Sequence, residues 1–396
     1  MIQPKFDVLI VGGFGHVGLP LGIMLADAGL QVALYDIDVA RRQTIEAGQM
    51  PFLEYDAEPI LQRVIGKQLH IVESLEAVRQ SDSVIVTIGT PVDEYLNPKL
   101  LPMLSFAEKL LPFITPRHNI ILRSTVFPGT SERVYEFFQK SGVVPDFSFC
   151  PERIAQGYAV RELKRLPQIV SGFTPSAVQR STDLFKKLGL QTIEVSIKEA
   201  ELAKLFLNSW RYIQFAAANQ FYMMATQHGA DFNRVYEAMT WNYDRAGDFP
   251  SAGFAAGPCL LKDTLQLSAF YQNSFMLGHA GMLINEGMPG FVVDQIRRQY
   301  DLKQETVGIL GMAFKGNVDD IRDSLSYKLG KLLRFHGATV LYTDEFAKDP
   351  TFISKEELVE RSSIVIVATP HSAYRQLQIP ANVHVVDIWG FLGGKK

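Results

Sequence analysis

The chain has 396 residues, of which 47% are hydrophobic and 20% charged, and its formal net charge is −3 at pH 7. This length suits two or three domains, and the near-neutral charge argues against a nucleic-acid or anionic-membrane partner. Two cysteines without metal-ligand spacing favour neither a disulfide framework nor a metal site. Because we find no signal-peptide pattern and no apolar run near the roughly 20 residues of a membrane span, we expect a cytoplasmic protein.

The N-terminal stretch predicts a strand, a glycine-rich turn, a helix and a second strand. The strands are expected at 7–11 and 31–35, and the helix at 19–26. Asp36 ends the second strand, 23 positions after Gly13, close to the roughly 20 expected of an acid that binds a ribose 2′-hydroxyl. Because an acid repels the 2′-phosphate of NADP, this unit predicts NAD binding.

Gly13, Gly15 and Gly18 form a G-x-G-x-x-G pattern in the turn. In such a turn the first glycine allows a tight bend, the second lets the backbone approach a pyrophosphate, and the third allows close packing of helix on strand. A pyrophosphate would then lie at the helix N-terminus, where free N–H groups favour an anion.

Polar side chains follow three further predicted strands, at 83–87, 119–123 and 147–150. These side chains are Thr90, Thr125 and Glu152. Ligands in doubly wound sheets bind at the carboxyl ends of the strands, so all three are candidate site residues. For Glu152 the alternative is a strand-end charge that faces water. Cys150 is most simply a buried strand residue.

A long helix is predicted from Glu199 to about Gly229. Glu201, Lys204 and Asn208 form a polar stripe on this helix, which is otherwise rich in apolar and aromatic residues. A surface ion pair would account for the stripe, but so apolar a helix favours a stripe that faces a cleft. The remaining faces predict core packing or a subunit interface.

The stretch from Gly253 to Asp263 carries one of the two cysteines. If a helix begins near Pro258, Cys259, Lys262 and Asp263 share one face. A helix N-terminus and a nearby ammonium group both favour the thiolate, which is the nucleophilic form. On these residues alone, a reactive thiol and a small buried side chain remain equally open.

The C-terminal third repeats the pattern of the N-terminal part. Residues 306–311, 339–344 and 362–370 resemble 8–13, 32–36 and 81–91, although the full glycine pattern is absent. We therefore predict an α/β protein with two Rossmann-like doubly wound parallel-sheet domains, joined by a helical connector domain with a long central helix. The expected boundaries are 1–197, 198–300 and 301–396, and the tail at 393–396 is expected to fray.

Motifs over nearly the whole chain follow one order: Gly13 to Leu21, Thr90-Pro91, Ser124-Thr125-Val126, Pro151-Glu152, Glu201 to Lys204 with Asn208, Cys259 to Asp263, Gly311 to Lys315 with Asp319 to Arg322, and Asp387 to Gly390. With these motifs the chain resembles the UDP-glucose/GDP-mannose dehydrogenase family, the nucleotide-sugar 6-dehydrogenases. The resemblance implies a four-electron oxidation of the C6 alcohol of a UDP-sugar with two NAD, through a thiohemiacetal and a thioester on Cys259.

The resemblance also implies roles for individual residues. The catalytic set comprises Cys259, Lys204, Asn208, Asp263, Thr125 and Glu152, in which Lys204 stabilises an oxyanion and Asp263 acts as the general base. The cofactor set comprises Gly13, Phe14, Gly15, His16, Val17, Gly18, Asp36, Thr90, Thr125 and Arg322. The substrate set comprises Glu152, Lys204, Asn208, Phe254, Gly257 and Lys315. No metal is expected.

Some positions depart from the family pattern and leave the sugar open. Gln156 stands where UDP-glucose dehydrogenases often carry a second glutamate, and Ala256 and Pro258 alter the usual Gly-Gly before the cysteine. The Pro-Glu-Arg at 151–153 resembles the branch that oxidises UDP-N-acetylhexosamines. The motif from Cys259 to Asp263 instead resembles the UDP-glucose and GDP-mannose branches.

Two other functions are weighed against this one. A two-electron dehydrogenase of the β-hydroxyacid type needs no cysteine, and a non-catalytic NAD-binding protein would use Cys259 only in packing. The joint presence of Lys204, Asn208, Cys259 and Asp263 argues against both. The long helix favours a homodimer, and the family commonly supplies precursors of surface polysaccharides.

Overall fold

The computed structural model describes residues 4–90 and 100–392. Pro91 of the Thr90-Pro91 motif and the tail at 393–396 lie outside these residues. The chain forms two compact units, Met1–Phe206 and Leu207–Lys396.

The first unit is built on an eight-stranded sheet in the order β3-β2-β1-β4-β5-β6-β7-β8. The strands are β1 Phe6–Val11, β2 Val32–Tyr35, β3 Leu69–Ile71, β4 Ser81–Val86, β5 Asn119–Leu122, β6 Asp146–Phe149, β7 Gln168–Gly172 and β8 Thr192–Glu194. Strand order reverses at β1, so the loop after β1 lies at a topological switch point, where ligands bind in such sheets.

Helices cover both faces of this sheet. They are α1 Gly18–Asp27, α2 Val39–Glu46, α3 Ala57–Val64, α4 Leu101–Leu110, α5 Thr130–Lys140, α6 Ala159–Glu162 and α7 Pro175–Lys186, with a 3-10 turn at Leu75–Gln80. Alternate residues of a strand point to opposite faces. Val8 and Ile10 accordingly pack in one core with α1 and α3, whereas Leu9 and Val11 pack in another with α4 and α5. The predicted doubly wound architecture is thus confirmed.

One strand pair of this sheet departs from the parallel pattern. β7 pairs antiparallel with β6, and β8 then pairs parallel with β7. A parallel connection requires a crossover, usually a helix, but the segment between β6 and β7 contains only the four-residue α6. Sequence reasoning missed β3, β7 and β8, because short strands with polar residues lack a clear apolar run.

The second unit holds a four-stranded parallel sheet in the order β10-β9-β11-β12. Its strands are β9 Thr306–Leu310, β10 Thr339–Thr343, β11 Ile364–Val367 and β12 His384–Asp387. The order β10-β9-β11 repeats β2-β1-β4 of the first sheet, as the sequence echo predicts. Strand β12 was not predicted.

Helices make up the rest of the second unit. The long helix α8, Ile197–Gln227, runs from the first unit into the second. It is followed by α9 Phe232–Thr240, α10 Leu260–Phe270, α11 Met276–Arg297, α12 Leu325–Phe335 and α13 Lys355–Arg361, with 3-10 turns at Asp244–Ala246, Leu302–Gln304 and Ser372–Gln376. Within the two described ranges, no helix combines the length and apolarity that a bilayer span requires.

Candidate functional site

The glycine loop between β1 and α1 is tightly packed on its inner side. Gly12 adopts a left-handed φ of 80°, so the turn that requires glycine falls one residue before Gly13, where the sequence pattern had put it. A Cβ on Gly13 would lie 2.9 Å from Leu34 Cβ, and a Cβ on Gly18 would lie 2.4 Å from Gly12 O. Both positions therefore need glycine for close packing.

Gly15 differs from the other glycines of the loop. A Cβ there would meet no atom of the chain closer than Gly12 O at 3.6 Å. Packing therefore does not explain why this residue is glycine, and the position leaves room for the approach of a ligand. The N-terminus of α1 follows this open position, and its free N–H groups suit a pyrophosphate.

Asp36 lies at the end of β2 and faces the same loop. Its Oδ2 accepts from Phe14 N at 3.1 Å, and its Oδ1 accepts from Ile37 N at 2.7 Å. The carboxylate is only partly buried and keeps acceptor capacity for a ribose hydroxyl. Arg41 Nη1 donates to Phe14 O at 3.3 Å and so takes part in holding the loop.

Thr90 and Thr125 lie at the ends of neighbouring strands, as predicted. Thr90 Oγ1 donates to Thr125 O at 2.5 Å, and Ser124 Oγ donates to Ile88 O at 2.7 Å. These bonds tie the segment after β4 to the segment after β5. The structure thus joins two of the predicted cofactor residues.

Glu152 belongs to a buried charged cluster. It forms an ion pair with Arg123 and accepts from Arg153 N at 2.6 Å and Ile154 N at 2.8 Å. Arg123 also donates to Cys150 O at 3.0 Å and to Gln168 Oε1 at 2.9 Å. The carboxylate is thus held firmly at the end of β6. Sequence reasoning missed Arg123, although a single arginine at the end of an apolar strand is a usable signal.

Gln156, the residue at the position of the family's second glutamate, reaches the glycine loop. Its Nε2 lies 3.1 Å from His16 Nδ1 and 3.2 Å from His16 Nε2. His16 in turn packs on Phe52, with ring centroids 3.9 Å apart. Gln156 therefore supports the cofactor loop rather than adding a carboxylate to the site.

The polar stripe of α8 is buried. Glu201 accepts from Gly129 N at 2.6 Å and Ser131 N at 3.0 Å, and it thereby caps the N-terminus of α5. Burial raises the pKa of Glu201, and the bonds to Ser131 and Gly129 oppose the rise. Lys204 is 9% exposed, which is unusual for a lysine. The alternative of a surface ion pair, which the sequence disfavoured, does not hold for Glu201.

In the second unit, Cys259, Asp263 and Asn208 lie around the start of α10. Cys259 is exposed and occupies the N-cap position of the helix. Asp263 is buried one turn later, and its Oδ2 accepts from Asn208 Nδ2 at 2.5 Å. Lys262 Nζ lies 3.7 Å from Asp263 Oδ1. The predicted alignment of Cys259 with a carboxylate at a helix N-terminus is thus present.

The loop before Cys259 packs on the segment that follows β9. A Cβ on Gly257 would lie 2.5 Å from Phe314 Cδ2, and Gly257 N donates to Asp323 O at 3.4 Å. Phe254 is buried, and Lys315 is partly buried next to Phe314. The predicted substrate residues of the second unit therefore lie in two adjoining segments.

Arg322 is paired within the second unit. Its Nε and Nη2 donate to Asp320, at 3.0 and 2.6 Å from Oδ2. The hydrogen bond to Asp320 raises the pKa of Arg322, and the charge of Cys259 adds a smaller contribution in the same direction. The guanidinium predicted to bind cofactor phosphate is therefore held mainly by Asp320.

In the second sheet an acidic residue, Asp344, also follows the second strand of the unit, β10, but its side chain is buried. Asp344 Oδ2 accepts from Met312 N at 2.7 Å, Ala313 N at 2.8 Å and His371 Nε2 at 3.0 Å. Asn317 N donates to His371 Nδ1 at 2.9 Å, which leaves the imidazole proton on Nε2. Asp344 thus holds the loop after β9, whereas its counterpart Asp36 remains open to a ligand.

Burial and hydrogen bonding act in opposite directions on Asp344. Burial favours the neutral acid, but the bonds from His371, Ala347 and Phe346 outweigh it and lower the pKa to about 2, from an ordinary value of 3.8.

In the described residues, no group of three or more His, Cys, Asp or Glu side chains is arranged to hold a metal ion.

The glycine loop at the switch point of a doubly wound sheet, with Asp36 beside it, defines the first unit as a dinucleotide-binding fold. The comparison with known families is more specific. The NAD binding domain of the UDP-glucose/GDP-mannose dehydrogenase family matches residues 7–189, its central domain matches 198–286 and its UDP binding domain matches 308–393. The chain belongs to this family.

Individual relatives cover most of the chain. A UDP-N-acetyl-D-mannosamine dehydrogenase of Methanococcus maripaludis is 26% identical over 389 residues, which are 94% of this chain and 89% of the relative. A UDP-N-acetyl-D-glucosamine 6-dehydrogenase of Pseudomonas aeruginosa is 28% identical over 387 residues, covering 92% of this chain and 87% of the relative.

A solved structure agrees with this assignment. The UDP-glucose dehydrogenase of Pyrobaculum islandicum superposes with a TM-score of 0.90 at 27% identity, covering 99% of this chain and 96% of that one. The predicted family and NAD as the cofactor are therefore confirmed. The broad activity class is that of an NAD-dependent nucleotide-sugar dehydrogenase.

Gly15 and Gly18 offer a matched pair of substitutions. Gly18→Ala forces a methyl group against Gly12 O, and we expect the free energy of unfolding to fall by about 1–3 kcal/mol. Gly15→Ala makes only an ordinary contact with Gly12 O, and we expect the free energy of unfolding to change by less than about 0.5 kcal/mol while NAD binding weakens at least about tenfold. Urea unfolding measures the effect on stability, and NAD titration measures the effect on binding. Normal NAD binding by Gly15→Ala contradicts the assignment of Gly15 to the cofactor site.

The low pKa of Asp344 predicts a pH dependence of stability. A folded-state pKa below the unfolded value stabilises the protein above about pH 4, and this contribution is lost as pH falls towards 2. We expect the stability difference between the native protein and Asp344→Asn to shrink by about 2 kcal/mol over that range. Urea unfolding at several pH values measures it, with Asp294→Asn, at an exposed position of α11, as the control. A constant difference contradicts the prediction.

Proposed function

We propose that the protein oxidises the C6 hydroxymethyl group of a UDP-sugar to the carboxylate, with NAD as acceptor and Cys259 as covalent catalyst. One observation carries this proposal. An exposed thiol stands at the N-cap of α10, one turn before a buried carboxylate that is hydrogen-bonded to Asn208. A helix N-terminus stabilises a thiolate, and a fixed carboxylate nearby suits proton transfer.

Each residue has one part in the proposed reaction. NAD, when bound, accepts a hydride from the sugar carbon in each of the two oxidation steps. Asp263 removes a proton from the C6 alcohol or from water, and Asn208 orients its carboxylate. Lys204 stabilises the negative oxygen that develops on C6. Thr125 orders the attacking water by hydrogen bonding.

Cys259 keeps the intermediate bound between the two oxidations. Its thiolate adds to the aldehyde carbon to form a thiohemiacetal, and loss of the second hydride gives a thioester. Water then attacks the thioester and releases the thiolate and the carboxylate. The sum is one alcohol, one water and two NAD giving one carboxylate, two NADH and three protons.

We assign to Glu152 the positioning of the water-binding segment. Its carboxylate already accepts from Arg123 and from two backbone N–H groups, so these bonds fix its position. We assign the hydrolytic proton transfer to Asp263. Arg322 and Lys315 are assigned to phosphate groups, and Phe254 and Gly257 to the sugar.

For the sugar we favour a UDP-N-acetylhexosamine. The UDP binding domain of the family supports a UDP nucleotide, and relatives named for UDP-N-acetyl-D-mannosamine and UDP-N-acetyl-D-glucosamine support the acetamido sugar. UDP-glucose is the second candidate, because the similar structure from Pyrobaculum islandicum bears that name. Either uronate would serve as a precursor for surface polysaccharide synthesis in the cytoplasm.

We also propose three functional parts: residues 1–197 bind NAD, residues 198–300 connect the two α/β parts and carry the catalytic cysteine, and residues 301–396 bind UDP.

We further propose that the protein forms a homodimer through the connector. Within the second unit, Trp210, Phe221 and Met224 of α8 are exposed, as is Leu283 of α11. Large exposed apolar side chains mark association surfaces. We expect light scattering to give twice the chain mass, and a monomer at micromolar concentration contradicts the dimer.

The number of NADH molecules formed per sugar tests the reaction. We expect two per sugar with one member of a panel of UDP-N-acetylhexosamines, UDP-glucose, UDP-galactose and GDP-mannose. Cys259→Ser lacks the thiol and should yield at most one NADH per sugar, with aldehyde as product. One NADH per sugar, with full activity in Cys259→Ser, would support a two-electron dehydrogenase. NAD binding without turnover of any sugar would support a non-catalytic protein.

A further inference from the structure

We propose that Asn219, held by Asn285, is a positioning residue that fixes the loop from Gly253 to Cys259 so that the thiol lies correctly at the start of α10. This inference rests on the proposed function, because it assigns the thiol a reaction to be positioned for. Asn219 itself is fully buried and cannot contact a substrate.

Two buried asparagines form a hydrogen-bonded chain between α8, α11 and the loop. Asn219 Oδ1 accepts from Gly253 N at 2.8 Å, and Asn219 Nδ2 donates to Asn285 Oδ1 at 2.8 Å. Asn285 Nδ2 donates in turn to Tyr212 O at 3.0 Å. Each amide therefore has its oxygen and nitrogen assigned by a partner, and only one orientation satisfies the chain.

Two aromatic rings also pack against this loop. A Cβ on Gly253 would lie 2.4 Å from the ring of Trp389, so the backbone lies directly on the indole. Trp389 Nε1 is itself fixed by donation to Ala368 O at 3.0 Å. Phe314 bounds the loop again at Gly257. Asn219 and the two rings thus contact the loop at Gly253 and Gly257.

The consequence for catalysis follows from the placement of Cys259. The loop ends at the N-cap of α10, where the thiol gains the field of the helix N-terminus. If Gly253 N loses its acceptor, a buried N–H remains unsatisfied, and the loop is expected to shift until water or another group reaches it. A shift of about 1 Å at a reacting group lowers turnover by about 100-fold.

Three variants test the proposal. Asn219→Leu removes the hydrogen bonds to Gly253 and Asn285 but keeps a side chain of similar size. Asn219→Asp keeps an acceptor for Gly253 N. Asn119→Leu is the matched control, because Asn119 is also fully buried but lies in the first unit and donates to Ser181 Oγ at 3.4 Å. The readouts are kcat, KM for NAD and sugar, and the rate of Cys259 alkylation by iodoacetamide, followed by peptide mass spectrometry.

We expect Asn219→Leu to lower kcat about 100-fold with KM for NAD unchanged, and to slow alkylation about two- to fivefold. Asn219→Asp keeps the acceptor for Gly253 N but loses the donor to Asn285 Oδ1, so it should recover only part of both, and Asn119→Leu should alter neither. Native kcat and native alkylation in folded Asn219→Leu would overturn the proposal. An equal loss of kcat in Asn119→Leu would also overturn it, because the loss would then reflect general destabilisation.

Two further arms keep the proposal testable. If Asn219→Leu does not fold, Asn285→Ser removes the partner that fixes Asn219, and we expect a loss of kcat of about tenfold, with native kcat counting against the proposal. If the native protein oxidises no sugar in the panel, the proposed function fails. Alkylation of Cys259 still measures the positioning of the thiol, since Cys150 is fully buried.

Discussion

The structure around α8 depends on one constraint: the polar side chains buried along this apolar helix must form hydrogen bonds. A buried polar group without a hydrogen bond lowers the free energy of unfolding by about 1–3 kcal/mol. Each group that bonds to these side chains is therefore held in place. Glu201 caps α5 in the first unit. Asn208 fixes the carboxylate of Asp263, and Asn219 fixes the loop that leads to Cys259 in the second. A single helix thereby orients the groups to which we assign the chemistry.

The two α/β units use the same strand order but treat the acid after the second strand differently. Asp36 keeps a partly exposed carboxylate beside an open glycine, which suits a ribose and a pyrophosphate. Asp344 is enclosed by His371 and by backbone N–H groups of the loop after β9. The acid of the second unit thus holds the loop after β9, and we expect a nucleotide bound there to be recognised by other residues.

The sequence predicted the fold where its signals were local and strong. The strand, glycine turn and acid of the first unit, and the repeated strand order of the second, followed from apolar runs and spacing. Strands β7 and β8 did not, because they are short, contain polar residues and lack a clear apolar run. The pairing of Arg123 with Glu152 and of Asn219 with Gly253 is likewise set by tertiary packing, which spacing does not encode. The sequence predicted Glu152 as a site residue but could not show that its carboxylate binds Arg123 and two backbone N–H groups.

The central claim is that Cys259 carries the sugar covalently between two oxidations, and acid quenching during turnover tests it most directly. Mass spectrometry of the quenched protein should find an acyl adduct with the mass of the nucleotide uronate on the peptide that contains Cys259, and hydroxylamine should remove it. Steady production of two NADH per sugar without any adduct on that peptide would contradict the account.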